Sequence, residues 1–215
     1  MFDRTVRRII DPLLEPLAGG LARVGVSATM LTITGFVAGL AAALAASQQL
    51  WMTTAGFILF NRLCDGLDGM VARLNGPTDS GGFLDIVLDL IFYGAVPLGF
   101  GLSNEKNLLP AAALIHSFLG SSGSFLAWAA IAAKRGPIDD WGGRKSMEYS
   151  AGFMEGTETV LFLLTFCAVP SAFVPLAWIF CGLCWLTTLL RICSGWSQFS
   201  ASRSTEREDR QGRID

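Results

Sequence analysis

Apolar residues run along the chain in long blocks separated by short polar breaks. A bilayer-crossing helix takes ~20 residues. Six blocks reach that length, at roughly 28–47, 51–72, 82–103, 108–133, 152–170 and 174–197. Residues 1–22 have a different pattern, with Arg4, Arg7, Arg8, Asp11 and Glu15 interleaved with Ile and Leu. That mixture predicts an amphipathic helix lying on a membrane surface. Asp11, Glu15 and two prolines interrupt any apolar core of a cleavable signal. Residues 201–215 are polar throughout and predict a disordered tail. The expected fold is an all-α polytopic membrane protein of six transmembrane helices plus an N-terminal amphipathic interfacial helix. One membrane domain spans 1–200, without an internal repeat.

Composition supports the membrane reading. Charged residues make up 16% and hydrophobic residues 52%, with a mean hydropathy of +0.48. A soluble domain carries about 25% charged residues, so most side chains here face lipid or other helices. Lys and Arg then orient the spans. Arg4, Arg7, Arg8 and Arg23 precede the first, Arg73 follows the second, Lys134, Arg135, Arg144 and Lys145 follow the fourth, and Arg203, Arg207, Arg210 and Arg213 follow the sixth. The alternate links hold only Lys106. Cytoplasmic loops are the basic ones, so both termini are expected in the cytoplasm. No nucleic-acid partner is expected.

The five cysteines lie in or beside apolar spans, and the Cys181/Cys184 pair reads as packing, because a redox pair needs an exposed electropositive setting. His116 stands without a nearby carboxylate in sequence and reads as a helix–helix hydrogen bond.

Five aspartates interrupt this pattern in "CDGLDGMVARLNGPTDSGGFLDIVLDL". Asp65 and Asp68 are three apart and Asp85 and Asp89 four apart, so each pair shares a helix face. The intervening "RLNGPTDSGG" reads as a turn. Two antiparallel helices therefore meet with carboxylates facing each other, while Asp79 reads as a solvated residue or the N-cap of the third span. Carboxylates in a membrane helix are costly, and Arg62 and Arg73 are too few to offset four of them. Divalent cations with a preference for hard oxygen, Mg²⁺, Mn²⁺ or Ca²⁺, are the natural partners. Four acids could hold two ions ~4 Å apart, an arrangement used on phosphates. Gly66, Gly69, Gly81 and Gly82, with the small Ala72, keep this face open to a ligand or a second backbone.

The stretch reads D-x-x-D-G-x-x-A-R, seven residues, then G-x-x-x-D-x-x-x-D. It resembles the signature of the CDP-alcohol phosphotransferases, also called CDP-alcohol phosphatidyltransferases. Asp65, Asp68, Gly69, Ala72, Arg73, Gly81, Asp85 and Asp89 fill every fixed position. "FNRLCDGLDG", "EGTET" and "GLCWLTT" resemble a bacterial inner-membrane branch of that family. At the start of the first span, "SATMLT" keeps Thr32 but has Ala28 and Thr29 where members often have Pro and Asn.

The resemblance implies transfer of a phosphatidyl or similar phosphoryl-alcohol group from a CDP-linked lipid donor, such as CDP-diacylglycerol, to an alcohol, with release of CMP. It implies two divalent cations, Mg²⁺ or Mn²⁺, on Asp65, Asp68, Asp85 and Asp89, with Asp89 also the catalytic base. Arg73 suits the donor pyrophosphate, Gly69, Ala72 and Gly81 give the nucleotide room, and Thr32 lies near it. A homodimer in the bacterial inner membrane, with a cytoplasmic active site, is expected on the same ground. Outside the signature, Lys134 and Arg191 bracket the expected pocket and suit a phosphorylated acceptor. Glu155 and Glu158 are either helix caps or acceptor contacts, and Asn61, one turn before Asp65, is placed to hydrogen-bond a ligand carboxylate. The rival classes are a transporter that uses the intramembrane acids, and a catalytically silent CDP-lipid binder. A transporter would spread its acids through the membrane depth, whereas these gather at one surface.

Overall fold

The computed structural model describes residues 3–135 and 156–211, with side chains at 8, 10–135 and 156–200. The described residues form α1 (Asp3–Arg23), α2 (Ala28–Ser47), α3 (Trp51–Asn75), α4 (Asp79–Leu102), α5 (Glu105–Arg135) and α6 (Gly156–Ala168). A 3-10 turn (Pro170–Ala172) then leads into α7 (Phe173–Gln211). The protein is all-helical among these residues. Four stretches are long and apolar enough to cross a membrane: Ala28–Ser47, Asp79–Leu102, Glu105–Arg135 and Pro170–Ser200. Of the other two expected spans, α3 has the length but carries Arg62, Asp65, Asp68 and Arg73, and α6 is apolar with 13 residues.

Small residues set the packing of α2. Its buried face is Gly35, Ala38, Gly39, Ala42, Ala45 and Ala46, which lets neighbouring backbones approach closely, as in membrane bundles. A Cβ on Gly35 would stand 2.9 Å from that of Cys64, and one on Gly39 would stand 2.5 Å from the Phe92 ring. On α4, a Cβ on Gly99 would run into the Ala43 carbonyl. These three glycines hold α3 and α4 against α2. Gln49, in a left-handed conformation at φ 62°, turns α2 into α3. Its Nε2 donates to Ser103 O at 2.9 Å, tying that turn to the end of α4.

An aromatic core closes this same end of the bundle. Phe100 stacks on Trp51 and on Phe173, each at 5.2 Å between centroids, and Phe166 meets both phenylalanines edge-on. The acids lie toward the opposite ends of α3 and α4. At those opposite ends α1 packs on α3, with Leu14, Ala18, Leu21 and Ala22 against Leu67, Met70 and Val71. Ile10, Leu13 and Leu17, on another face of α1, are exposed.

Several local readings change. The turn between α3 and α4 is only Gly76, Pro77 and Thr78, shorter than the expected ten residues. Gly76, at φ +94°, ends α3. Thr78, not Asp79, caps α4, its hydroxyl accepting from Gly81 N at 3.1 Å. With Thr78 at the cap, Asp79 stands in the first turn, where negative charge favours the helix dipole. His116 is exposed and meets Trp185 of α7 through its ring, 5.5 Å between centroids, rather than through a hydrogen bond. The segment after 200 is helical to Gln211, continuing α7 without a break. Cys64, Cys167, Cys181 and Cys184 are free and buried, in line with packing.

Candidate active site

The acidic pairs converge as their spacing requires. Asp65 and Asp68 come from the second half of α3, Asp85 and Asp89 from the first half of α4, and Thr32, Gly35 and Phe36 of α2 close the back. With Asn61, Arg62 and Leu88 they line one small cleft, partly open to solvent. All four expected metal ligands are therefore in one place.

Each acid has its own surroundings. Asp68 is the deepest at 5% exposed. The Thr32 hydroxyl lies 2.7 Å from Asp68 Oδ2 and 3.0 Å from Ala28 O. It has one proton, and the shorter contact is to the carboxylate. Asp89 Oδ1 accepts from Arg62 Nη2 in a close ion pair. Asp65 Oδ2 lies 3.6 Å from Arg62 Nη1. With Asp68 held by Thr32 and Asp89 by Arg62, no three Asp, Glu, Cys or His side chains among the described residues stand close enough together to hold one ion. The donor set still fits a hard divalent cation, since it consists of carboxylates with a hydroxyl and an amide beside them. Cys64, the one soft donor nearby, is packed against Gly35.

Arg62 is the site residue the sequence analysis passed over, having weighed it only as insufficient counter-charge. Its Nε donates to Asn61 Oδ1 at 2.7 Å and its Nη1 to the Tyr93 hydroxyl at 3.0 Å. Its guanidinium carbon lies 4.6 Å from the Phe92 ring centroid and 5.2 Å from that of Tyr93. Asn61 is buried and donates from Nδ2 to Gly35 O at 2.8 Å, so it braces Arg62 rather than a ligand carboxylate. The spacing signal existed: Arg62 is three residues before Asp65, and Asp89 is four before Tyr93.

The remaining expected residues lie outside the lining of the cleft. Arg73 is exposed at the end of α3 and folds back over Gly69, where a Cβ would stand 3.6 Å from Arg73 Nη1. Ala72 is half-buried beside it. Gly81 sits under the Thr78 cap, and a Cβ there would stand 3.0 Å from the Thr78 hydroxyl. Lys134 is exposed near the end of α5. Arg191 lies in the α5–α7 seam, its Nη1 donating to Ser121 O at 2.9 Å and its guanidinium 5.4 Å from the Phe125 ring centroid. Glu155 falls outside the described residues, and Glu158 is half-buried in the first turn of α6.

Comparison with known proteins gives the same picture. The chain is 42% identical over 210 residues to the inner membrane protein YnjF of Escherichia coli (strain K12), covering 97% of this chain and all of that protein. It is 33% identical over 119 residues to the archaetidylinositol phosphate synthase of Methanothermobacter thermautotrophicus, covering 55% of this chain and 57% of that protein. Its fold is similar to the phosphatidylinositol phosphate synthase PgsA1 of Mycobacterium tuberculosis. The crystal structure of that protein with manganese and citrate gives a TM-score of 0.61 at 26% identity, covering 84% of this chain and 88% of that one. Its CDP-DAG-bound structure gives 0.55 at 28% identity, covering 86% and 91%. The family model for CDP-alcohol phosphatidyltransferase matches residues 26–192, a stretch that contains Thr32, the whole acidic cleft and Arg191. The chain belongs to the CDP-alcohol phosphatidyltransferase family.

Proposed function

We propose that this chain is an integral membrane transferase of phospholipid biosynthesis. It moves a phosphatidyl or similar substituted phosphoryl group from a CDP-linked donor, such as CDP-diacylglycerol, to an alcohol acceptor. The observation that carries this reading is the convergence of Asp65, Asp68, Asp85 and Asp89 from two helices into one cleft. The acids gather there rather than along a path through the bundle, which favours transfer over transport. The M. tuberculosis relative, whose structures hold manganese in one case and CDP-DAG in another, supports both the metal and the donor class.

Mg²⁺ or Mn²⁺ would be held by the carboxylates of the cleft, and when bound it supplies positive charge against the donor pyrophosphate and the departing CMP. The chain's own residues do the rest. Asp89 takes the proton of the acceptor hydroxyl. Arg62 occupies its Oδ1, which leaves Oδ2 as the basic oxygen. The acceptor oxygen bonds to the donor's β-phosphorus, the bond from that phosphorus to the CMP oxygen breaks, and CMP leaves with the electron pair. Asp89 then passes its proton to water. Thr32 orients Asp68. Arg73, swung over the bare backbone of Gly69, binds the donor phosphates from the rim, and Ala72 and Gly81 leave room for the nucleotide.

The acceptor is a phosphorylated polyol, held by Lys134, Arg191 and Glu155. Two relatives, named as an archaetidylinositol phosphate synthase and a phosphatidylinositol phosphate synthase, support that class. The chain crosses the inner membrane six times with both termini cytoplasmic, and α1 rests on the interface with Ile10, Leu13 and Leu17 in lipid. A cysteine replacing Gln49 then reacts with an impermeant reagent only from the periplasmic side. Reaction from the cytoplasm overturns this orientation. The test of the reaction is release of radiolabelled CMP by the purified protein across a panel of acceptors. Mg²⁺-dependent release that is lost in EDTA and in Asp85→Asn is expected. Undiminished release in EDTA sinks the scheme.

A further inference from the structure

The α1 helix is weak by itself. Pro12 and Pro16 stand inside it, and each removes a backbone donor from the helix interior. Gly19 and Gly20 lower its propensity further, and a Cβ on either would meet nothing within 4 Å, so no close contact calls for them. Its packed face is narrow, with Leu14, Ala18, Leu21 and Ala22 against α3 and the start of α2. A second apolar stripe, Ile10, Leu13 and Leu17 continuing into Val24, is exposed, with Leu13 at 74% and Val24 at 77%. What holds α1 as a helix therefore includes whatever lies under that stripe. In a chain that crosses a membrane, this is the acyl–headgroup boundary of the bilayer.

Two joints connect α1 to the cleft. At its C-terminal end, Gly25 at φ +84° closes a Schellman turn, with Gly25 N donating to Ala22 O at 3.1 Å and Val26 N to Leu21 O at 3.0 Å. Ser27 then caps α2, its hydroxyl accepting from Met30 N at 3.2 Å. Only the four residues Val24–Ser27 separate the two helices, and their turn is fully bonded, so α1 and α2 move together. The other joint is on α3. Leu14 Cδ1 lies 3.3 Å from where a Cβ on Gly66 would stand, and Gly66 falls between Asp65 and Asp68. At ~100° per residue, Gly66 and Met70 stand on the side of α3 away from those acids. The α1 helix thus backs the turn whose other side lines the cleft. We propose that the bilayer completes the site: lipid against Ile10, Leu13, Leu17 and Val24 seats α1, and Leu14 on Gly66 then keeps Asp65 and Asp68 turned into the cleft. Leu13, Leu14 and Leu17 are positioning residues, and the partner they meet or transmit is the lipid surface. The inference rests on the interfacial placement of α1 and, for turnover, on the transferase reading above.

The test uses the full-length protein in nanodiscs of phosphatidylethanolamine and phosphatidylglycerol, with Leu13→Asp and Leu17→Asp combined. Both side chains are exposed and lie outside the packed face of α1. Two quantities are read: CMP release, and alkylation of Cys64 by N-ethylmaleimide, located by peptide mass spectrometry. Cys64 is 3% exposed and packed against Gly35 of α2, so it reports separation of α3 from α2. Cys193, exposed on α7, is the reference. In the folded variant kcat should fall by about 10- to 100-fold, the scale on which small misplacements act. Cys64 should also be alkylated several-fold faster relative to Cys193. Leu13→Met with Leu17→Met, which keeps the stripe apolar, should match wild type in both. A helix that only anchors the fold predicts less folded protein, with wild-type kcat and Cys64 reactivity in what remains, and that result overturns the inference. A change in only one of the two quantities overturns it as well. Should the double variant fail to fold, Leu17→Ser decides by the same two readouts and the same expectations. A wild type that releases no CMP overturns the transferase reading, and Cys64 reactivity then decides the coupling by itself.

Discussion

Thr32→Val separates two roles for one hydroxyl. The family resemblance implies that Thr32 lies near the nucleotide, whereas the structure places its oxygen 2.7 Å from Asp68 Oδ2. Asp68 is only 5% exposed, so water has little access to replace a lost donor. A hydrogen bond to a charged group contributes about 1.5–3 kcal/mol, which corresponds to roughly 10- to 150-fold in an affinity that depends on that group. Valine has nearly the same shape, so packing of α2 on α3 should survive and the loss should be specific. Mn²⁺ titration and donor kinetics on the same preparation are the assay. The expected result is Mn²⁺ affinity lower by about 10- to 100-fold, with donor KM near normal once metal saturates. Thr32→Ser, which keeps the hydroxyl, should bind close to wild type. Wild-type Mn²⁺ affinity with a raised donor KM in Thr32→Val would refute the reasoning and return Thr32 to the nucleotide.

Two further outcomes test the acceptor and the packing. Arg191→Gln should raise the KM of a phosphorylated acceptor several-fold and leave the donor KM nearly unchanged; a lower yield of folded protein with normal KM values would make Arg191 a strut of the α5–α7 seam, where it bonds Ser121 O. Gly99→Ala and Gly94→Ala make the same change on one helix and should part in sign: at 99 the new methyl meets the Ala43 backbone and costs about 1–3 kcal/mol, while at 94 it meets nothing within 4 Å and gains up to ~1 kcal/mol of helix propensity. Thermal melting in detergent, read by circular dichroism, separates them, and equal shifts would mean that the close α2–α4 crossing is not as described.

Much of the site follows from sequence alone, because helical periodicity is local. Spacings of three and four put each acidic pair on one face, and Gly76 with Pro77 makes the reversal that turns the pairs toward each other. The same reasoning found that the buried cysteines are packing. The family signature added the chemistry, since its eight positions are all filled within 25 residues.

Partners between helices were decided elsewhere. The Arg62 bond to Asp89 joins residues 27 apart, and the Thr32 bond to Asp68 joins residues 36 apart. Whether such groups meet depends on how far each helix is rotated about its axis and how closely the backbones approach. Periodicity is silent on both. Here Gly35, Gly39 and Gly99 set the approach through contacts with Cys64, Phe92 and Ala43. That rotation turns Asn61 to the α2 backbone and Arg62 to Asp89, although the sequence placed Asn61 beside a ligand and discounted Arg62. It also puts Arg191 in the α5–α7 seam and outside the acidic lining, a separation the linear pattern of basic residues could not express. The sequence by itself determined which residues share a helix face and which chemistry they suit. Only the tertiary structure decided which carboxylate meets a cation and which a hydroxyl, because those choices lie in the close packing of small residues between helices.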